Sequence, residues 1–208
     1  MIKVVSFDIG GTLLRENNDD AANYSIKALT NLIGLDKDLV RDAYKDVFQK
    51  TKGSFDKLVN DFCKRLNIEV TKDITNFFHN KFSVPDEQIN KEDLELLKTI
   101  KDKGYKVILF SNNCCLVKST LADSLKGVVD GIYYSYDLGY TKSDKESYQF
   151  IEKELACKPN EFLHIGDTLK SDYLKPISFG WNALFYGTSD DDTIKCITDL
   201  KDILKYLN

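Results

Sequence analysis

Lys3-Val4-Val5-Ser6-Phe7-Asp8-Ile9-Gly10-Gly11-Thr12-Leu13 opens on a β-branched, apolar run that stops at a carboxylate and a glycine pair. A short run of this kind with a glycine exit predicts a buried parallel strand over residues 3–7 and a tight loop after it. Residues 106–110, 162–165 and 182–185 repeat the pattern much later, and residues 131–134 are a weaker fifth strand. Helical periodicity falls between them, over residues 90–103, 116–125, 144–155 and 193–206. In the first of these, Asn90 stands at the N-cap, Leu94, Leu97 and Ile100 form the stripe, and Gly104 follows the end. Strands alternating with helices predict an α/β fold, a doubly wound parallel sheet flanked by helices.

Residues 15–84 break the alternation. They hold no convincing strand, and their apolar residues recur at helical spacing, as in Leu39, Val40, Ala43, Val47 and in Leu58, Phe62, Leu66. The expectation is a small helical lobe inserted after the first strand, hinged near Leu14 and residues 84–86, with residues 1–14 and 85–208 forming the α/β core.

A chain of 208 residues is long enough for one core with a modest inserted lobe. A net charge of -4 leaves no basic excess to neutralise phosphates, so nucleic acid is not an expected partner. No apolar stretch has the length to span a bilayer, and the run before Asp8 is too short for a signal peptide. Cys63, Cys114, Cys115, Cys157 and Cys196 are odd in number and show no Cys-x-x-Cys spacing. That speaks against a disulfide framework and a zinc site, and for a cytoplasmic protein with reduced thiols.

Ligands of open α/β sheets gather beyond the carboxyl ends of the strands. Those ends carry Asp8 after the first strand, Ser111 and Asn112 after the second run, and Gly166-Asp167 after the 162–165 run. Asp172 follows five residues after Asp167, and Lys142 precedes the 144–155 helix. One sheet edge would thus gather three carboxylates, a hydroxyl, an amide and an ammonium, a set able to hold a hard cation and a phosphate together.

Phe7-Asp8-Ile9-Gly10-Gly11-Thr12-Leu13 resembles the first motif of haloacid dehalogenase-like hydrolases, and Phe110-Ser111-Asn112 is similar to their second. Gly139-Tyr140-Thr141-Lys142 resembles the third, and Gly166-Asp167 through Asp172 the fourth, Gly-Asp-x-x-x-x-Asp. Each motif is short, but all four stand in the family's order over nearly the whole chain. The resemblance implies that Asp8 is the nucleophile that forms an aspartyl-phosphate, and that Ser111 and Lys142 bind the transferring phosphoryl group. It further implies that Gly11 and Asn112 contribute to the phosphate site. Mg²⁺ would be held by Asp8, the Gly10 carbonyl and Asp167, with Asp172 a ligand directly or through water.

Gly10 departs from the pattern, because the family's phosphatases carry there a second aspartate that protonates the leaving group and activates water. General acid–base catalysis is typically worth about 10²–10⁴ in rate, so the resemblance implies a weakened proton shuttle beside an intact metal site. Two branches also lack this aspartate: the haloacid dehalogenases, which work without Mg²⁺, and the phosphonoacetaldehyde hydrolases, which use a cap lysine. The expected function is Mg²⁺-dependent hydrolysis of a small phosphorylated metabolite. Its rivals are a phosphate- or metabolite-binding pseudoenzyme and a hydrolase of non-phosphoester substrates that uses Asp8. Asp-Ile-Gly-Gly-Thr also resembles the first phosphate loop of actin-like sugar kinases, but those need two such domains and this chain has one copy.

Other polar and sulfur-bearing residues read as structural. Cys114 and Cys115 are expected to pack as small apolar groups, His164 and Trp181 to lie in the core, and Asp190-Asp191-Asp192 to form a turn that N-caps the last helix.

Overall fold

The computed structural model describes residues 1–15, 24–83, 89–117, 121 and 125–207. Six strands form one parallel sheet in the order β3-β2-β1-β4-β5-β6. They are β1 Val4–Phe7, β2 Lys106–Ser111, β3 Gly131–Tyr134, β4 Phe162–Gly166, β5 Asn182–Tyr186 and β6 Cys196–Ile197. The expected doubly wound α/β architecture is therefore present, and β1 lies at its middle, paired with β2 and β4.

Strand alternation divides the core in two. Val5, Phe7, Leu109, Leu163 and Ile165 face one side, where Leu96, Leu97 and Ile100 pack on them. Val4, Ile108, Phe110 and Phe162 face the other, against Tyr148, Ile151 and Trp181. Helix α5, Lys91–Asp102, supplies the first layer; Asn90 caps it by accepting from the Asp93 N–H at 2.8 Å. The helix Lys145–Leu155 supplies the second layer.

Between β1 and β2 lie helices α1 Ile26–Ile33, α2 Lys37–Tyr44, α3 Phe55–Arg65 and α4 Lys72–Phe82. A π-helical turn, Lys45–Gln49, extends α2 and buries Val47 and Phe48. These helices enclose a hydrophobic cluster of their own around Phe48, Phe62 and Phe78. Of the apolar residues singled out from the sequence here, only Leu39 is exposed.

The predicted helix over residues 193–206 is a correction. Cys196–Ile197 pairs with Phe185–Tyr186 as β6, and a 3₁₀ helix, Leu200–Tyr206, follows. Sheet pairing overrides the helical period here: the Phe185 N–H donates to Lys195 O, and the Gly187 N–H donates to Ile197 O. Asp199, not the acidic run, caps the 3₁₀ helix. Asp191 instead closes a local turn by accepting from Thr193. Most of the helix expected over residues 116–125, and the hinge expected at residues 84–86, lie outside the described residues.

Candidate active site

Asp8, Ser111, Asn112 and Asp167 leave the sheet at the carboxyl ends of β1, β2 and β4, and Lys142 and Asp172 reach the same edge from connecting segments. Asp8 follows β1, its N–H donating to Ile165 O at 2.8 Å. The chain then turns tightly, with Leu13 and Leu14 N–H both donating to Ile9 O. Gly11, at φ +76°, lets the backbone pass against the Asp167 carboxylate. Thr12 is fully buried, and its Oγ1 is the one buried side-chain polar atom among the described residues without a partner.

Lys142 is the centre of the cluster. Its Nζ donates to Asp8 Oδ1 at 2.5 Å and to Asp172 Oδ1 at 2.6 Å, and the side chain is almost wholly buried. Three residues hold the loop that carries it. Asn112 Oδ1 accepts from the Lys142 N–H at 2.9 Å, and the Tyr148 hydroxyl donates to Lys142 O at 3.0 Å. Asp144 Oδ2 accepts from both the N–H and the hydroxyl of Thr141, at 2.8 Å each. Ser111 ends β2 and is buried at the same edge.

Asp172 lies in a turn, Leu169–Leu174, and all its acceptor positions are engaged. Oδ1 accepts from Lys142 and stands 3.3 Å from His164 Nε2; Oδ2 accepts from the Thr168 N–H at 3.0 Å and the Ser171 hydroxyl at 3.2 Å. A carboxylate offers about four lone-pair positions, so these partners fill it. Asp167, after β4, is the more open carboxylate, and oxygens of Asp8, Asp167 and Asp172 all lie within 4.8 Å of one another.

Electrostatics follows from this packing. Burial, opposed by Lys142, leaves the Asp8 carboxyl above its ordinary value, and burial together with the Asp172 charge raises Asp167. Burial also works against the charge on Asp172, but Lys142 and His164 outweigh it and hold this carboxyl low. Burial opposes the Lys142 charge too; Asp172 and Asp8 more than compensate, so its pKa lies above the usual lysine value. Three carboxylates against one ammonium leave an excess negative charge that a divalent cation fits, and hard oxygen donors suit Mg²⁺.

The helical segment meets this edge directly. Lys50 pairs with Asp144 at 3.1 Å, Lys52 pairs with Asp137, and Cys114 sits within the helices' own hydrophobic cluster. Cys114 is thus packing, as expected, and burial pushes its thiol up to about 12. The sequence reading missed Asp144 and Tyr148, which brace the lysine loop, and the contact of His164 with the site. A signal for the last existed: Ser6 and His164 are polar residues inside otherwise apolar strands, and they stand in register.

Comparison with known proteins agrees with this geometry. The sequence pattern of the haloacid dehalogenase-like hydrolases matches residues 2–174. A D-ribitol-5-phosphate phosphatase of Bacteroides thetaiotaomicron is 30% identical over 185 residues, covering 80% of this chain and 84% of that protein. A HAD family enzyme of the same organism, solved with magnesium and inorganic phosphate, shares the fold at a TM-score of 0.61 and 17% identity, covering 93% of this chain and 98% of its own. A dehalogenase solved with an intermediate complex superposes at a TM-score of 0.63 and 18% identity, over 99% of this chain and 97% of that one. With motifs, fold and family pattern in agreement, the chain belongs to the haloacid dehalogenase-like hydrolase family.

Proposed function

We propose that this hydrolase is a Mg²⁺-dependent phosphatase acting on a small phosphorylated metabolite through an aspartyl-phosphate at Asp8. The observation that carries the reading is the pair of contacts from the Lys142 ammonium to Asp8 and Asp172, with Asp167 alongside. Lys142 has three N–H donors, and the two carboxylates use two of them. The third is available to a phosphoryl oxygen, with the Ser111 hydroxyl and the Asn112 backbone as further donors; the Gly11 N–H, which the sequence pointed to for this role, is committed to Leu14 O at 2.8 Å. Asn112 Oδ1 itself is committed to the Lys142 backbone.

Asp8, Asp167 and the Gly10 carbonyl would hold Mg²⁺, and the filled acceptor positions of Asp172 favour a role for it through water. The cation would supply charge neutralisation, so that a phosphate dianion can approach three carboxylates. An Asp8 oxygen attacks phosphorus, the P–O bond to the leaving group breaks, and the departing oxygen takes its proton from solvent, because position 10 offers none. Water then attacks phosphorus, releasing inorganic phosphate and restoring Asp8. The helices of residues 15–84 form a cap that selects substrate, and the likeness to a polyol-phosphate phosphatase makes such esters the first to test. Five unpaired cysteines accord with a reducing, cytoplasmic setting. Among the described residues no helix is long and apolar enough to cross a membrane.

A panel of phosphorylated metabolites assayed with Mg²⁺, with Asp8→Asn as control, tests the proposal. Phosphate release that Asp8→Asn abolishes supports it. Absence of turnover with retained phosphate binding would assign the chain to the binding-only class.

A further inference from the structure

A buried chain of polar contacts runs beneath the proposed site, away from any substrate. Ser6 on β1 and His164 on β4 are paired in the sheet register, and both are fully buried. The Ser6 hydroxyl lies 2.9 Å from His164 Nδ1, and His164 Nε2 lies 3.3 Å from Asp172 Oδ1. The same Asp172 oxygen accepts from Lys142, which reaches Asp8.

Donor and acceptor roles along this chain are fixed by chemistry. Asp172 Oδ1 accepts from the Lys142 ammonium at 2.6 Å, and a carboxylate paired in this way can only accept, so the facing His164 Nε2 must carry the proton. In a neutral imidazole that is the single N–H of the ring. Nδ1 is therefore a bare acceptor, and the Ser6 hydroxyl must donate to it. Each end of the imidazole is used, and rotating the ring would break both bonds. Phe110 and Trp181, with ring centroids 6.0 and 6.4 Å away, wall it in place.

We propose that His164 is a positioning residue for the hydrolytic site: locked by Ser6 as the Nε2–H tautomer, it orients the Asp172 carboxylate that aims Lys142 at Asp8. Gly166 supports the arrangement, because a Cβ there would stand 2.5 Å from Asp172 Cγ; the carboxylate occupies the space beside the strand. The inference rests on the function proposed above for Lys142 and Asp8, and it adds an outer brace that touches no substrate.

The tautomer can be read directly. The chain has two histidines, so ¹⁵N NMR of the labelled protein, with His79→Gln to remove the other signal, resolves His164 alone. A protonated Nε2 with a bare Nδ1 is expected. His164→Phe keeps a ring but no donor, and kcat should fall by about tenfold to a hundredfold, the range of a lost hydrogen bond to a charged group, with KM little changed. His164→Gln places an amide N–H near the Nε2 position and should recover a good part of that loss. A protonated Nδ1, an unaltered kcat in His164→Phe, or a Gln variant no better than Phe would each overturn the proposal. If His164→Phe does not fold, the Gln variant and the wild-type spectrum decide. If the wild type hydrolyses no phosphate ester, the proposed function fails, while the spectrum still decides whether His164 donates to Asp172.

Discussion

A Cβ on Gly11 would stand 2.2 Å from Asp167 Oδ2, whereas a Cβ on Gly10, one residue earlier, would meet nothing within 4 Å. The two adjacent glycines are thus under opposite constraints. Gly11→Ala combines a left-handed backbone, costing an L-residue about 1 kcal/mol, with displacement of a carboxylate proposed to hold the metal. Calorimetry should show Mg²⁺ affinity falling at least about tenfold in Gly11→Ala and staying near wild type in Gly10→Ala. Equal affinities in the two variants would remove Asp167 from the metal site.

The room at Gly10 also makes the missing carboxylate restorable. With no acid at that position, leaving-group basicity sets the barrier, so aryl and acyl phosphates should turn over much faster than alkyl phosphates. Gly10→Asp should raise alkyl phosphate turnover, by up to roughly the 10²–10⁴ that acid–base help supplies. In the natural protein, phosphorylated Asp8 should persist long enough to be seen by intact mass. Matching aryl and alkyl rates, with no gain from Gly10→Asp, would mean another group delivers the proton.

Lys142→Met leaves Asp8 and Asp172 facing each other without the ammonium between them. Removing one partner of a buried ion pair costs about 3–5 kcal/mol, so the urea midpoint should drop well below wild type. Mg²⁺ should restore part of the loss by binding only the folded form. A midpoint that does not move would show that the carboxylates are neutral in the folded protein.

Cys114 should resist iodoacetamide near pH 8, since its thiol is raised to about 12 and only thiolate reacts. It should label fully in urea, as peptide mass mapping would show. Native labelling at the rate of an exposed thiol would mean that the loop after β2 leaves the helical cluster.

Because helices α1 to α4 carry their own hydrophobic cluster, a chain joining residue 14 to residue 85 by a short linker should fold. It should show a cooperative thermal transition with a helical circular dichroism signal reduced by the four deleted helices, and lose substrate discrimination. It will also expose Cys114 and Leu116, which pack into that cluster, so Cys114→Ser is advisable in the shortened chain. Failure of this chain to fold would make the helices part of one indivisible core.

The sheet was legible because its strands are short apolar runs, each ended by a polar or glycine residue, and all five expected strands fall within a residue or so of the observed ones. Strand β6 was not legible: Cys196-Ile197 is too short to carry a period, and only its partner β5 makes it a strand. Asp8, Ser111, Lys142, Asp167 and Asp172 could be chosen from motif order and do meet at one edge. What no linear pattern contained was the division of labour between the carboxylates. Asp172 spends its lone pairs on Lys142, His164, Thr168 and Ser171 and is buried, whereas Asp167 is the more open of the two. That difference arises from burial and from neighbours distant in sequence. Asp144 looked like the start of a helix and is instead the clamp on the lysine loop.

The empty volume beside Gly10 also bears on how the protein could change over generations. The glycine codons GGU and GGC become aspartate by one base change at the middle position, and a Cβ added at Gly10 would meet no atom within 4 Å. Packing at the first side-chain atom therefore erects no barrier between the present chain and one with the second carboxylate, and from either of those codons a single point mutation connects them. A gene that spells this glycine GGU or GGC should, under selection for growth on an alkyl phosphate, recover the aspartate in one step.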